Sequence, residues 1–307
     1  MTASLTRTQS VYSCLIGGLL ICFSCTTQRE DWQPLWNGQD FSGWVKFLGI
    51  PHSNTEVPGQ AQDTSGRYIQ PLGQEYDPLD VFSVVEQDGE PAIRVSGQIF
   101  GTLYTEQDYG NYHLRLQYKW GEKKWPPREN LRRDSGLLYA GFGPPGVVNG
   151  NWMQSHECQI QEHDAGDYWA VGAVEIQIPS VPVRIDDDPL GNNWFRYDPD
   201  GKHRTFGTFV TDSSQIRKNR RVIKSSDEEL PYGQWNTVDL IFYEGNSIHV
   251  VNGTVVLRLY GSERATEPNT VPLTSGKILL QSEGAEVYYR AIEIRTISAI
   301  PEQFQED

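Results

Sequence analysis

Residues 111–120 read NYHLRLQYKW, and every second side chain is apolar or aromatic. Tyr112, Leu114, Leu116, Tyr118 and Trp120 fall on one face, His113, Arg115, Gln117 and Lys119 on the other. A period of two is that of a β-strand with one face in a core and the other toward water. Outward from this stretch, from about residue 92 onward, further strands are expected at 99–105, 135–140, 156–162, 173–178, 235–243, 246–251, 254–260, 277–283 and 286–297. HVVNGTVVLRL (249–259) predicts a hairpin, because Asn252-Gly253 suits a two-residue primed turn. No segment sustains an apolar period of 3.6, so no long helix is expected. Many short antiparallel strands predict an all-β sandwich or jelly roll of two sheets.

Composition points the same way. The 307 residues include 29 Gly, 18 Pro, 9 Trp and 15 Tyr, a mixture of turn formers and aromatics that favours β structure. With 26 Lys+Arg against 40 Asp+Glu the net charge is −14, which excludes a nucleic-acid binder. An apolar content of 37% excludes a disordered chain. Two stretches interrupt the strand pattern, 48–80 and 179–231, and loops of that length often build sites. With no internal repeat and no linker, the sequence predicts one domain at 31–298 and a short C-terminal tail at 299–307.

The N-terminus reads as an export signal. VYSCLIGGLLICFS (11–24) is an apolar stretch too short to span a bilayer comfortably, and Ser24-Cys25 then meets the polar run TTQRED. A Cys directly after the apolar core is the pattern of a lipoprotein signal. The expectation is a signal peptide at 1–24, a lipid on Cys25 and a tether at 25–30, with Cys22 as the alternative lipid site. An ordinary secretory signal is the competing reading. Cleavage there leaves Cys158 as the one unmodified cysteine, so the mature chain has no internal disulfide. The expected location is the cell envelope, with membrane contact only through the lipid.

Chemistry concentrates in ECQIQEHDAGDYW (157–169). Alternation turns Cys158 and Ile160 toward the core and puts Glu157, Gln159, Gln161 and the adjoining His163 on the opposite face. A row of hydrogen-bonding groups beside flat aromatic rings suits a carbohydrate floor. The same row argues against a retaining glycosidase, which needs two carboxyl groups about 5–5.5 Å apart. Glu157 has no carboxyl partner in this strand, and Glu162 points the other way.

Several stretches together carry a family resemblance. PLWNGQDFSGW (34–44), RDSGLLYAG (133–141), ECQIQEHDAGDYW (157–169), WNTVDLIF (235–242), VNG (251–253) and GKILLQSEGAEVYYRAIEI (276–294) occur in the order found in the 3-keto-disaccharide hydrolase domain family. The resemblance covers nearly the whole chain after the signal. It implies a concanavalin A-like jelly roll, often exported or lipid-anchored, acting on 3-keto-glycosides. Many relatives carry Asp-His where this chain has Ser282-Glu283.

A 3-keto sugar can be cleaved without a carboxylate pair at C1. The ketone acidifies the hydrogen on C2, and the glycosidic oxygen on C1 is β to the carbanion. One base removes the proton, a donor stabilises the enolate, and an acid assists the departing oxygen. His163 is the expected base by its intrinsic pKa. Glu157 is the alternative base or the group that orients the His, and Arg290 is the expected oxyanion partner. Gln159, Gln161, Asp167, Trp169, Tyr139 and Glu283 are the expected substrate contacts. No metal site is expected: the His and Cys spacings match no zinc pattern, and Asp186–Asp188 lacks the spaced ligands of a calcium loop. No dinucleotide fingerprint is present, so no cofactor is expected, and a separate sugar oxidoreductase would have to supply the 3-keto group. The competing functions are a non-catalytic carbohydrate-binding module and, less favoured, a laminarinase-type glycosidase.

Overall fold

The computed structural model describes Met1 and residues 32–184, 194–207, 220–266 and 269–306. The expected signal peptide after Met1, Cys25 and the whole tether at 25–30 lie outside these residues, as does the run Asp186–Asp188.

The first seven strands are β1 (Gln33–Pro34), β2 (Trp44–Leu48), β3 (Gly73–Gln74), β4 (Phe82–Gln87), β5 (Glu90–Val95), β6 (Gly101–Thr105) and β7 (Tyr112–Lys124). The next seven are β8 (Asp134–Phe142), β9 (Gln154–Gln161), β10 (Tyr168–Val171), β11 (Val174–Val183), β12 (Trp194–Tyr197), β13 (Lys202–Gly207) and β14 (Arg221–Val222). The chain ends with β15 (Asn236–Tyr243), β16 (Asn246–Val251), β17 (Thr254–Thr266), β18 (Asn269–Pro272), β19 (Lys277–Ser282) and β20 (Ala285–Thr296). The smaller sheet runs β14-β10-β9-β8-β19-β6-β2-β3. The larger runs β12-β11-β17-β16-β15-β7-β20-β5-β4, with β1, β13 and β18 pairing at its flanks. All the strand pairs are antiparallel, and the two sheets stack as a jelly-roll sandwich.

The strand alternation read from the sequence is the construction rule of this sandwich. On β7, Tyr112, Leu114, Leu116, Tyr118 and Trp120 enter the core between the sheets. On β9, Cys158 and Ile160 do the same from the other side. The hairpin at 252–253 has the geometry its sequence predicts: Asn252 and Gly253 both have positive φ, 48° and 87°, and Val251 pairs with Thr254. Seven further strands, β1, β2, β3, β4, β5, β10 and β18, are additional to the sequence expectation. Parts of the long stretch 179–231 also form strands, namely β12, β13 and β14.

Polar clasps cross the core. Tyr139 on β8 meets Ser247 Oγ at 2.8 Å and His249 Nε2 at 3.2 Å on β16. His156 on β9 meets Ser262 Oγ at 2.6 Å and Tyr168 OH at 3.0 Å. Ser135 meets Tyr289 OH at 2.7 Å. Such groups are tolerated between sheets because each finds a partner.

The outer face of the larger sheet holds both ends of the described chain. His113 is fully buried there because Trp32 and Phe304 cover it, with ring centroids at 4.6 and 5.4 Å. Arg115 and Arg295 lie over the Trp32 ring at 5.0 and 4.8 Å, and Asp239 binds both His113 Nε2 and Arg115 Nε.

Burial lowers the pKa of His156 to about 3 and that of His249 to about 4, so both rings are neutral in the folded chain. The unfolded chain takes up these protons as pH falls through 6.5, so the native state loses stability progressively below that value, down to the folded pKa values. Both imidazoles should therefore keep the nuclear magnetic resonance shifts of the neutral ring down to about pH 5. Titration of either ring near pH 6.5 would contradict the closed clasp.

Candidate active site

The outer face of the smaller sheet opens into a cleft of about 1230 Å³. Register fixes its floor. Directly paired residues share a face, and the pairs are Trp169 with Glu157, Glu157 with Leu138, Gly136 with Gln159, and Asp134 with Gln161. Leu138 pairs with Leu279 on β19, which brings Gln281 beside Gly136 and Glu283 beside Asp134. The floor is thus a grid across β10, β9, β8 and β19, apolar at Leu138 and Leu279 and polar from Glu157 to Glu283.

Gly136 lies at the centre of the grid. A Cβ there would collide with both Glu157 Oε1 and Gln281 Oε1, so the glycine is what lets the two side chains converge over the sheet. Gln159 is 6% exposed and accepts the Ile160 N–H on its Oε1 at 2.9 Å, which leaves its amino group to donate. Gln281 Oε1 is buried without a partner. A buried unsatisfied acceptor costs about 1–3 kcal/mol, a loss a sugar hydroxyl would recover.

Three carboxyl groups share this floor with one guanidinium. Arg128 pairs with Asp134, and its Nη1 stands 3.6 Å from Glu283 Oε1. Gly284, with φ +81°, lets the Arg128 side chain approach: a Cβ there would come within 2.9 Å of Arg128 Cβ. Asp134 also accepts a hydrogen bond from Gln161. Glu157, 5% exposed, has no side-chain hydrogen bond among the described residues. Burial, then the charges of Glu283 and Asp134, push its pKa well above the usual carboxylate range. Glu283 is raised well above it too, by burial and then by Asp134. Burial pushes Asp134 up to about 6, against the pull of Arg128. One cation cannot balance three anions in an enclosed site, so the cluster retains protons.

Of the expected site residues, Glu157, Gln159, Gln161, Trp169, His163 and Glu283 line the cleft. His163, however, stands beyond the end of β9 with its side chain 77% exposed and its Nδ1 3.5 Å from Asp227 Oδ2. Glu157 and Gln161 are about 13 Å apart along the strand, and His163 lies two residues further on. Asp167 is fully buried beneath the wall, bound by Arg221 at 2.9 and 2.6 Å and by the Lys224 N–H at 3.0 Å.

Three expectations are corrected, the first being Asp167, which is no substrate contact because it is buried against Arg221 and Lys224. Arg290 does not reach the cleft. It sits on β20 of the larger sheet and faces away from the sandwich, with Nε 2.9 Å from Gln117 Oε1, Nη1 3.2 Å from Glu90, and its guanidinium 4.0 Å from the Trp235 ring. The sequence could not tell which sheet the last strand joins. Tyr139 is no substrate contact but a core clasp, because it pairs with inward-facing His156. Arg128 and Asp134 were missed. The signal for Asp134 was present in RDSGLLYAG, where alternation sets Asp134 and Gly136 opposite Tyr139. Arg128 lies in a loop with no period to read.

Gly136→Ala should fold, since the atoms it displaces are the far ends of flexible side chains. It should lower turnover at least tenfold by moving Glu157 out of place, since misplaced catalytic groups lose activity steeply. Circular dichroism and rates measured together check this, and an active variant would remove Glu157 from the centre of the site.

No curated protein matches the chain. Among solved structures, a protein of Parabacteroides distasonis ATCC 8503 provisionally described as a glycosyl hydrolase is similar at 17% identity, covering 88% of this chain and 95% of that one, with a TM-score of 0.46. The carbohydrate binding module CBM66 from Bacillus subtilis is similar at 5% identity over 70% and 91%, with a TM-score of 0.38. The β-glucanase of Bacillus licheniformis is similar at 9% identity over 87% and 97%, with a TM-score of 0.34. The model of the 3-keto-alpha-glucoside-1,2-lyase-like domain matches residues 31–295. The chain belongs to that family and is a glycoside-cleaving enzyme.

Proposed function

We propose that the cleft cleaves 3-keto-glycosides by elimination followed by hydration, with Glu157 and Glu283 as its acid–base pair. The observation that carries this reading is Glu157: a carboxyl on the floor, buried, without a side-chain hydrogen bond among the described residues, and pushed well above the usual carboxylate range by burial and then by the charges of Glu283 and Asp134. Such a group is an acid waiting for a leaving oxygen. Glu283 is the more exposed of the two and lies nearer Arg128, so it ionises first and serves as the base. Between the two apparent pKa values the pair carries one proton, and both roles are filled at once. His163 is exposed beyond the end of β9 and turned to Asp227, whereas the charge of Glu283 acts on Glu157, so the base is assigned to Glu283 in its place.

The steps balance as follows. Glu283 takes the proton from C2, and the electron pair forms the enolate through the C3 ketone. The Gln159 amino group is the donor for the enolate oxygen. The enolate re-forms the ketone as the C1–O bond breaks and Glu157 protonates the departing aglycone, which leaves a C1=C2 double bond. Water then adds its hydroxyl to C1 and a proton to C2, giving the free 3-keto sugar. The 3-keto group itself comes from a separate oxidoreductase.

Direct displacement at C1 is the second reading, favoured by one finding: the fold brings Glu283 to Glu157 from another strand, so the floor does hold two carboxyl groups. In deuterated water, elimination and hydration place deuterium at C2 of the product, whereas displacement leaves C2–H intact. Product free of deuterium at C2, with exchange of the finished product controlled, would decide for displacement.

Glu157→Gln should lower turnover by roughly 10²–10⁴. It should also raise stability at pH 7–8. The folded chain holds a proton on Glu157 that the unfolded chain releases above 4.5, so this carboxyl contributes less stability as pH rises. A thermal midpoint of the variant below that of the wild type at pH 8 would contradict the buried, protonated acid. In the wild type, the acid limb of the pH–rate profile should lie above the usual carboxylate range and vanish in Glu283→Gln.

A further inference from the structure

The cleft is unevenly charged. Its acids, Asp134, Glu157 and Glu283, gather on β8, β9 and β19. Its far wall, beyond β10, is basic. Most of that wall is internally paired. Arg132 binds Asp164 at 2.7 Å, Arg221 binds Asp164 and Asp167 at 2.9 and 2.6 Å, and Lys224 binds Asp227 at 3.0 Å. Two cations remain. Arg196 on β12 and Arg220, directly before β14, line the cleft, and their guanidinium groups have no ion pair or hydrogen bond among the described residues. Arg220 Nε is buried without an acceptor. Arg196 is held toward the cleft by the bridge between its backbone and that of Ile223.

In a chain of net charge −14 the surface as a whole repels anions. Guanidinium groups without an ion-pair partner among the described residues, beside the acidic floor, reverse this locally. A guanidinium is a planar fork that matches carboxylate, sulfate and phosphate oxygens two at a time. Trp169 and Trp194 flank Arg221, with its guanidinium 5.6 and 5.5 Å from their rings, and the half-buried Trp169 gives this wall some flat surface for a sugar. β14 lies two strands from Glu157, about 10 Å at the usual strand spacing. That is beyond the ring being cleaved and within reach of its neighbour.

We infer that the unit next to the cleaved 3-keto sugar carries an anionic substituent, a carboxylate, sulfate or phosphate, bound by Arg196 and Arg220. This rests on the reading of the cleft as the substrate site. It narrows the substrate class from 3-keto-glycosides in general to acidic ones.

The test separates binding from chemistry. Calorimetry uses three unoxidised disaccharides that cannot react: a neutral one, one with a terminal glucuronate, and one with a terminal sulfate. Turnover uses their 3-keto forms. The wild type should bind at least one acidic ligand roughly 10- to 100-fold more tightly than the neutral one. The preference should shrink with added salt. Arg220→Ala and Arg196→Ala should each reduce the ratio of acidic to neutral affinity, with Arg220→Lys keeping part of it. Which acidic ligand binds more tightly tells carboxylate from sulfate. Equal affinity for all three ligands, no binding of any, or a preference untouched in both Ala variants overturns the inference. An intact preference with no turnover of any 3-keto form would count against the cleavage chemistry and leave the anion site standing.

Discussion

Each strand of the smaller sheet has two faces and only one can be closed. Because β9 gives Cys158 and Ile160 to the core, Glu157, Gln159 and Gln161 are fixed on the other side. β8 obeys the same rule in register with it, so Tyr139 goes in and Asp134 and Gly136 go out. The packing of the sandwich and the composition of the cleft are two consequences of one pleat. A slip of one residue in either strand would bury the acids in the core and open the core to water.

The site is held at a cost. Three carboxyl groups and one guanidinium leave the floor short of positive charge, and Gln281 Oε1 and Asp134 Oδ1 lack partners. A packed apolar floor would be more stable. The surrounding sandwich offsets the expense through a continuous core and clasps such as Tyr139–Ser247 and His156–Ser262. Stability is concentrated between the sheets, and chemical potential is stored on the face turned away from them.

The sequence carried the fold almost whole, because alternation is local and this chain alternates strongly. β7, β8, β9, β15, β16, β19 and β20 stand within a few residues of their expected bounds. The site was legible only where it lay along one strand, as in Glu157, Gln159 and Gln161. What joined strands distant in sequence was not. Glu283 reaches Asp134 and Glu157 from more than 120 residues away in the sequence, through the β19–β8 pairing, and its expected role as a sugar contact missed its electrostatic one. Arg290 failed for the same cause. Its strand was read correctly, but strand order decides which sheet it joins, and no local pattern encodes strand order. Tyr139 failed for a different reason, since the alternation that places it inward was available in its own strand.

The ring of Trp32 packs on His113, on the outer face of the larger sheet, while the cleft opens from the outer face of the smaller one. The thickness of the sandwich therefore separates Trp32 from the cleft. A bulky group attached at Trp32 would stand on the opposite side of the two sheets from the cleft and leave its mouth clear.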